Sequence, residues 1–297
     1  MPGTLYIVAT PIGNLSDMTP RAVETLAQAD IIAAEDTRHS RALLTHFGIR
    51  TPAFSCHKFN EGKRGDFFVS ALLEGKDVAL ISDAGTPCIS DPGHRLVSMA
   101  AAAGVEVVAV CGANAAAAAL SVSGFDASRF VFLGFLPRTR KEQSEAWETV
   151  HAGYPAVFYE SPLRIDKTLA LLAESYPAAK ICLCNDLTKK FERVYRGTPA
   201  EVLAEISDNP NAKKGEYTGV VLLPPVPNTE DSAPEISLEA QLLDIMIKSS
   251  CNLKEAAAQL HETQKSSSFR RDPNQPKPGG KKAIYAAMLR LKEMLQV

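Results

Sequence analysis

The sequence predicts an α/β protein: two α/β domains in tandem, followed by a small helical appendix. Three observations carry this. Short apolar, β-rich runs alternate with amphipathic helical stretches through the first 124 residues, a second set of such runs begins near residue 125, and a linker rich in proline and acid precedes two helical segments. In the first set, TLYIVAT (Thr4 to Thr10), DIIAAE (Asp30 to Glu35), AFSCH (Ala53 to His57), DVALIS (Asp77 to Ser82) and VEVVAV (Val105 to Val110) read as strands of a largely parallel sheet. Thr19 before Pro20 marks a helix start, and Gly48 and Gly104 end the helices RALLTHF and RLVSMAAAA. The Ala-rich helix that ends at Gly124 closes this set.

In the second set, RFVFLGF, PAVFYE, KICLCND and EYTGVVLLP read as strands. The expected division is therefore residues 1–124 and 125–225 as two α/β domains, 226–236 as linker and 237–297 as appendix. Within the appendix, helices Leu238 to His261 and Lys281 to Leu295 flank a basic stretch, residues 262–280, too polar and too broken by Pro and Gly to fold alone. Lys265, Arg270, Arg271, Lys277, Lys281 and Lys282 give it the densest positive charge in the chain, read either as a solvated loop or as one that orders on RNA.

Composition narrows the function classes. A chain of 297 residues, 45% hydrophobic and 22% charged, has enough apolar material for about two cores, which excludes a disordered or fibrous protein. The net charge of −2 gives no global positive field, so any nucleic-acid surface must be local. Of six cysteines only Cys182 and Cys184 are close, at a spacing that suits neither a zinc knuckle nor a redox pair; reduced thiols in a cytoplasmic protein are expected, with no metal. The N-terminal apolar run is too short for a signal peptide or a membrane span.

ALISDAGTPCISDPG, residues 79–93, places two Asp, two Gly and two Pro at the carboxyl end of a strand, where open α/β sheets bind ligands. Asp83 is suited to accept hydrogen bonds from ligand hydroxyl or ammonium groups, Gly85 to let a ligand approach the backbone, and Pro87 to stiffen the turn. Asp91, followed by Pro92 and Gly93, reads as the cap of the next helix. Neither a G-x-G-x-x-G nor a G-x-x-x-x-G-K-[ST] occurs, so nothing argues for a dinucleotide or a triphosphate. The loops AEDTRHS and HKFNEGKR close the second and third strands, and with three adjacent strands they bring Asp36, Arg38, Lys58, Asn60, Glu61 and Arg64 to one rim.

These stretches, together with FLGFLPR, FYESPLRI, LTKKFE and KGEY, resemble the tetrapyrrole-methylase-fold branch of S-adenosylmethionine-dependent methyltransferases, and within it the enzymes of small-subunit ribosomal RNA. The resemblance runs in unbroken order from residue 3 to about residue 223. It implies a homodimer that methylates a cytidine 2′-hydroxyl, with S-adenosylmethionine in a cleft between the two domains. Carried over by position, Pro11 lies at the edge of that cleft and Asp83, Gly85, Thr86, Pro87 and Ile89 below it. Ala113, Asn114 and Ala115 come from the next connection, Phe135 and Leu187 wall the adenine, and the segment around Thr218 closes the site.

The chain departs from the family pattern at Cys111-Gly112-Ala113-Asn114, where relatives have Pro-Gly-Pro-Ser, and at Phe59-Asn60-Glu61, where they have His-Asn-Glu. The basic insertion is a third departure. For the chemistry, an activated methyl group asks for in-line positioning and a place for the hydroxyl proton. Glu61 is the expected acceptor and Asp36 the second, with Arg38 and Lys58 holding phosphates or lowering the hydroxyl pKa. Other readings are a methyltransferase of tetrapyrrole precursors and a non-catalytic RNA-binding assembly factor; a linker, helical appendix and basic stretch suit a large RNA better than a small metabolite.

Overall fold

A computed structural model describes residues 1–58, 61–224, 237–267 and 281–295, the side chains of residues 61, 63, 263–267, 281, 282 and 292–295 excepted. The chain divides into two units, Met1–Pro225 and Val226–Val297.

The first half of the larger unit runs β1 (Thr4–Val8), α1 (Pro20–Gln28), β2 (Ile31–Ala34), α2 (Thr37–His46), β3 (Ala53–Ser55), α3 (Glu61–Leu73), β4 (Val78–Ile81), α4 (His94–Ala102), β5 (Glu106–Val110) and α5 (Ala115–Ser123). Its five strands are all parallel, in the order β3-β2-β4-β1-β5. The first three strands, expected to be adjacent, are not: β2 and β3, which end on the two charged loops, do pair, but β4 lies between β1 and β2, because the crossover after β3 brings the chain back into the gap beside β1. Every residue of β2 and β4 is buried, as expected of strands covered on both faces. Local signals set the helix starts. Thr19 accepts a hydrogen bond from the Ala22 amide with Pro20 in the first turn.

The second half runs β6 (Val131–Phe135), α6 (Arg140–Glu148), β7 (Pro155–Glu160), α7 (Ile165–Ser175), β8 (Lys180–Asn185), β9 (Arg193–Gly197), α8 (Pro199–Ser207) and β10 (Tyr217–Leu222). Its sheet is ordered β6-β7-β10-β8-β9, and only β6 and β7 pair in parallel. The alternating run RVYRG forms β9, a strand the apolar runs do not announce. Helix α5 packs across the boundary at Gly124: Ala116, Ala119 and Leu120 lie against Val157, Cys182, Cys184 and Val220 of the second sheet. Its small side chains let a helix approach that sheet closely. A second contact joins the halves where β6 shifts register between Phe132 and Gly134. Gly134 has φ +63°, and a Cβ there would stand 2.7 Å from the Ser90 hydroxyl.

Among the described residues the smaller unit holds three helices, α9 (Leu238–Ser249), α10 (Leu253–Ser267) and α11 (Lys281–Leu295), around Leu242, Ala256, Leu260, Ile284, Ala287 and Leu291. The segment expected as one helix from Leu238 to His261 is two. Ser250, at φ +48°, breaks it, and Asn252 accepts the Lys254 and Glu255 amides to start the next. Helix α10 extends into the stretch expected as a basic loop. Arg270, Arg271 and Lys277 lie outside the described residues, as do the side chains of Lys265, Lys281 and Lys282.

Candidate active site

Chain segments at the carboxyl ends of β1, β4 and β5 are tied to one another. Thr10 and Gly85 exchange backbone hydrogen bonds of 2.8 and 3.0 Å, and the Thr86 hydroxyl donates to the Ala113 carbonyl at 3.0 Å. Gly85 sits at φ +79° with Ile12 3.3 Å from where a Cβ would be, so a larger residue there would be strained before a ligand is considered. Asn114 caps α5 by accepting the Ala117 amide. Between β2 and β4 the ties are reciprocal: the Asp36 amide donates to Asp83 Oδ1 at 3.1 Å, and the Asp83 amide to Glu35 Oε2 at 3.3 Å.

Asp91 does not cap α4. Gly93, at φ +128°, occupies the cap position without a side-chain hydrogen bond, because the helix begins at the turn the glycine makes. Two non-glycine residues before it, Cys88 at φ 70° and Ser90 at φ 66°, are also left-handed. Each conformation costs about 1 kcal/mol or more, which the surrounding structure sustains. Their turns bring Ile89 and Asp91 into a cleft of about 420 Å³ whose opposite wall comes from the second sheet: Phe135, Tyr159, Ser161, Pro162 and Thr218. The Phe135 and Tyr159 rings meet edge to face at 5.5 Å.

Five carboxylates border this cleft, Glu35, Asp83, Asp91, Glu160 and Glu216, and no Lys, Arg or His lines it among the described residues. Glu160 is buried and accounted for. It accepts from the Ser161 amide, from the Thr168 hydroxyl at 2.9 Å, and from Arg164 at 3.1 Å. Glu216 pairs with Lys189 at 2.9 Å. Burial raises the Glu35 carboxyl above its ordinary range. Burial, then the nearby charges of Glu35 and Asp83, push Asp91 up to about 6, against a hydrogen bond from Ser82 that favours its ionised form. The cleft is an apolar and aromatic slot with uncompensated negative charge at one end, fit for a ligand that is cationic on one side and flat on the other.

Of the residues expected at the cofactor, Asp83, Gly85, Thr86, Ile89, Asn114, Ala115, Phe135 and Thr218 line the cleft. Pro87 and Leu187 are buried and do not line it, Ala113 lends its carbonyl to Thr86, and Pro11 lines a neighbouring depression of about 600 Å³. That depression also takes Arg38, His39, His46 and Lys189, and meets the cleft at Ile12, Asp83, Ala84 and Glu216. Asp36 caps α2 and pairs with Arg38 at 2.8 Å, which holds its carboxyl well below the usual range. Lys58 is exposed. Phe59, Asn60 and the side chain of Glu61 lie outside the described residues. Glu35, Asp91, Tyr159 and Glu216 were not expected in the cleft; Glu35 was signalled only by its place as the first of two acids ending a buried strand.

The pattern that defines the tetrapyrrole (corrin/porphyrin) methylases matches residues 4–203. Two bacterial proteins named ribosomal RNA small subunit methyltransferase I are similar over most of the chain. That of Haemophilus influenzae is 44% identical over 261 residues, 86% of this chain and 90% of its own. That of Escherichia coli O157:H7 is 38% identical over 276 residues, 90% and 94%. Among solved structures, diphthine synthase superposes with a TM-score of 0.57 at 14% identity over 74% of this chain and 90% of its own. Uroporphyrin-III-C-methyltransferase from Thermus thermophilus gives 0.52 at 17%, over 74% and 94%. These two likenesses bear on the fold alone.

Proposed function

From its membership of the tetrapyrrole (corrin/porphyrin) methylase family, which makes the chain a methyltransferase, we propose that the protein transfers the methyl group of S-adenosylmethionine to a cytidine 2′-hydroxyl of small-subunit ribosomal RNA. The names of the relatives support the RNA substrate. The observation that carries the donor is the cleft, in which no described residue is a cation: it lies within the roughly 300–1,000 Å³ common for small-molecule sites, and it pairs carboxylates with aromatic walls. When bound, S-adenosylmethionine supplies an activated methyl on a sulfonium cation beside an ammonium group. Asp83 and Asp91 would face its cationic part, Phe135 and Tyr159 its adenine, and the backbone of Gly85 and Ala115 its polar edges.

The acceptor ribose enters from the adjoining depression, where Arg38 and Lys189 offset phosphate charge. For the hydroxyl proton, Glu61 is the first acceptor on sequence grounds. Asp36 is the second, and its pairing with Arg38 leaves it a weak base. The same reading makes the protein a cytoplasmic homodimer, and its six free cysteines suit a reducing compartment.

The test is incubation with methyl-labelled donor and either assembled small subunits or naked small-subunit RNA. The expected product is RNA with label at a cytidine ribose, read as an alkali-resistant dinucleotide. Label in a base, or none in RNA while a tetrapyrrole precursor is methylated, overturns the reading.

A further inference from the structure

On the second sheet, beyond the cleft, lies a groove of about 560 Å³ between the turn after β6 and one face of α7. Arg138 and Arg140 border it on one side. Lys167, Ala170, Leu171 and Glu174, spaced as successive positions on one helix face, border it on the other, with Arg164 at the end. The motifs FLGFLPR and FYESPLRI thus meet here, although neither of their arginines serves the cleft directly.

The four cations are used differently. Arg164 is committed: its guanidinium donates to the Leu136 carbonyl at 2.9 Å and to the Pro137 carbonyl, and pairs with buried Glu160. This clamp fixes the backbone immediately before Arg138. Arg140 pairs with Glu174 at 2.6 Å, with both side chains 66% exposed, an interaction that exchanges readily with another anion. Arg138 and Lys167 are exposed and have no ion pair among the described residues. The contrast with the cleft is sharp in sign. The cleft is lined by carboxylates and repels phosphate; the groove offers two unpaired cations on braced backbone, a third in a surface pair, and one acid.

Phe135, which lines the cleft, and Arg138, which borders the groove, are three residues apart in sequence, at most about 10 Å along the chain. At roughly 3.4 Å of rise per nucleotide of one strand, that is the reach of about three nucleotides. We infer that this groove grips the sugar–phosphate backbone of the RNA substrate about three nucleotides from the Phe135 wall of the cleft, with one phosphodiester on Arg138 and one on Lys167. The inference rests on RNA being the substrate. Arginine suits the role because its planar fork matches phosphate oxygens, and lysine adds a point charge.

The double variant Arg138→Ser/Lys167→Ser in the full chain tests this, against the control Arg50→Ser/Lys76→Ser, which removes equal charge elsewhere on the same unit. Binding to a naked small-subunit RNA fragment and to small subunits is measured at several salt concentrations, with donor affinity and sedimentation alongside. Loss of two single-strand phosphate contacts lowers the slope of log K against log salt by about 1.4, with RNA affinity down roughly tenfold at low salt and donor affinity unchanged. A wild type that binds RNA while the groove variant matches the control overturns the groove alone. Lost self-association with RNA affinity per protomer retained shows a protein interface instead, and also overturns it. A wild type that binds donor but no RNA overturns the groove together with the proposed substrate.

Discussion

The two sheets of the larger unit meet at one cleft but equip it differently. In the parallel sheet every strand ends at the same rim, so consecutive connections deliver charged and strained residues side by side: Glu35 after β2, Asp83 to Asp91 after β4, and Asn114 after β5. In the second sheet β6 and β7 end where β10 begins, and what reaches the cleft is mainly ring and strand surface: Phe135, Tyr159, Tyr217 and Thr218. The first half supplies the charge left without a cation, whereas the second supplies shape and two carboxylates, Glu160 and Glu216, each already paired with a cation. Substitutions in the first half should therefore alter how binding depends on pH, whereas those in the second should alter affinity equally at every pH.

The largest effect is expected at Asp83, which both faces the cleft and holds the Asp36 amide. Asp83→Ala should weaken S-adenosylmethionine binding by about 100-fold, the scale of a lost charge-assisted hydrogen bond. Titration calorimetry measures it, and a change under threefold would reduce Asp83 to a tie between loops.

Asp91 gives the sharpest form of the contrast. A cationic ligand favours the ionised carboxylate, so wild-type donor affinity should fall roughly tenfold between pH 7 and pH 5, and Asp91→Asn should flatten that dependence. Stability moves the opposite way. The folded carboxyl titrates at about 6 against an ordinary 3.8, so the penalty for ionising it is absent below pH 3.8 and complete above pH 6. At pH 7.5 the variant should gain about 1 kcal/mol, less than full conversion of the shift because the group is half-buried. Urea melts at pH 4 and pH 7.5 separate the two, and an equal gain at both would show that charge is not the cause.

Phe135 is 63% exposed, so Phe135→Ala should leave the melting temperature alone and weaken donor binding about fivefold, on the scale of one lost aromatic contact, equally at pH 5 and pH 7.5. A pH-dependent loss would blur the division between the halves. The smallest effect is expected at Arg38. Arg38→Ala frees Asp36, whose carboxyl should then titrate higher in an NMR pH series, with donor affinity within about twofold of wild type because the pair is exposed. Loss of donor binding would place the pair in the donor site.

Much of the first half was legible from single residues. Thr19 with Pro20 does start a helix, Gly48 and Gly104 do follow helix ends, and apolar runs such as DVALIS do become buried strands. Strand order was not legible, since nothing in β4 itself says that it inserts between β1 and β2. Strand β9 was missed because Arg193 and Arg196 interrupt the apolar signal of an outer strand. The break at Ser250 was missed because a serine there takes the left-handed turn usually given to glycine. At the site, Asp91 misled for a related reason: Pro92-Gly93 resembles a helix start, and the glycine alone performs it. Tyr159 and Glu216 stand at strand ends whose register only the folded sheet sets.

The meeting of Ser90 with Gly134 sets how far apart the facing walls of the cleft stand. The spacing there rests on a hydrogen where any other residue would bring a methyl group or more. It is a gauge lying outside both sheet cores, which pack around Leu80 and Phe68 on one side and Phe158 and Trp147 on the other. Gly134→Ala should therefore change the separation of those walls, and with it donor affinity, more than it changes the packing of either core.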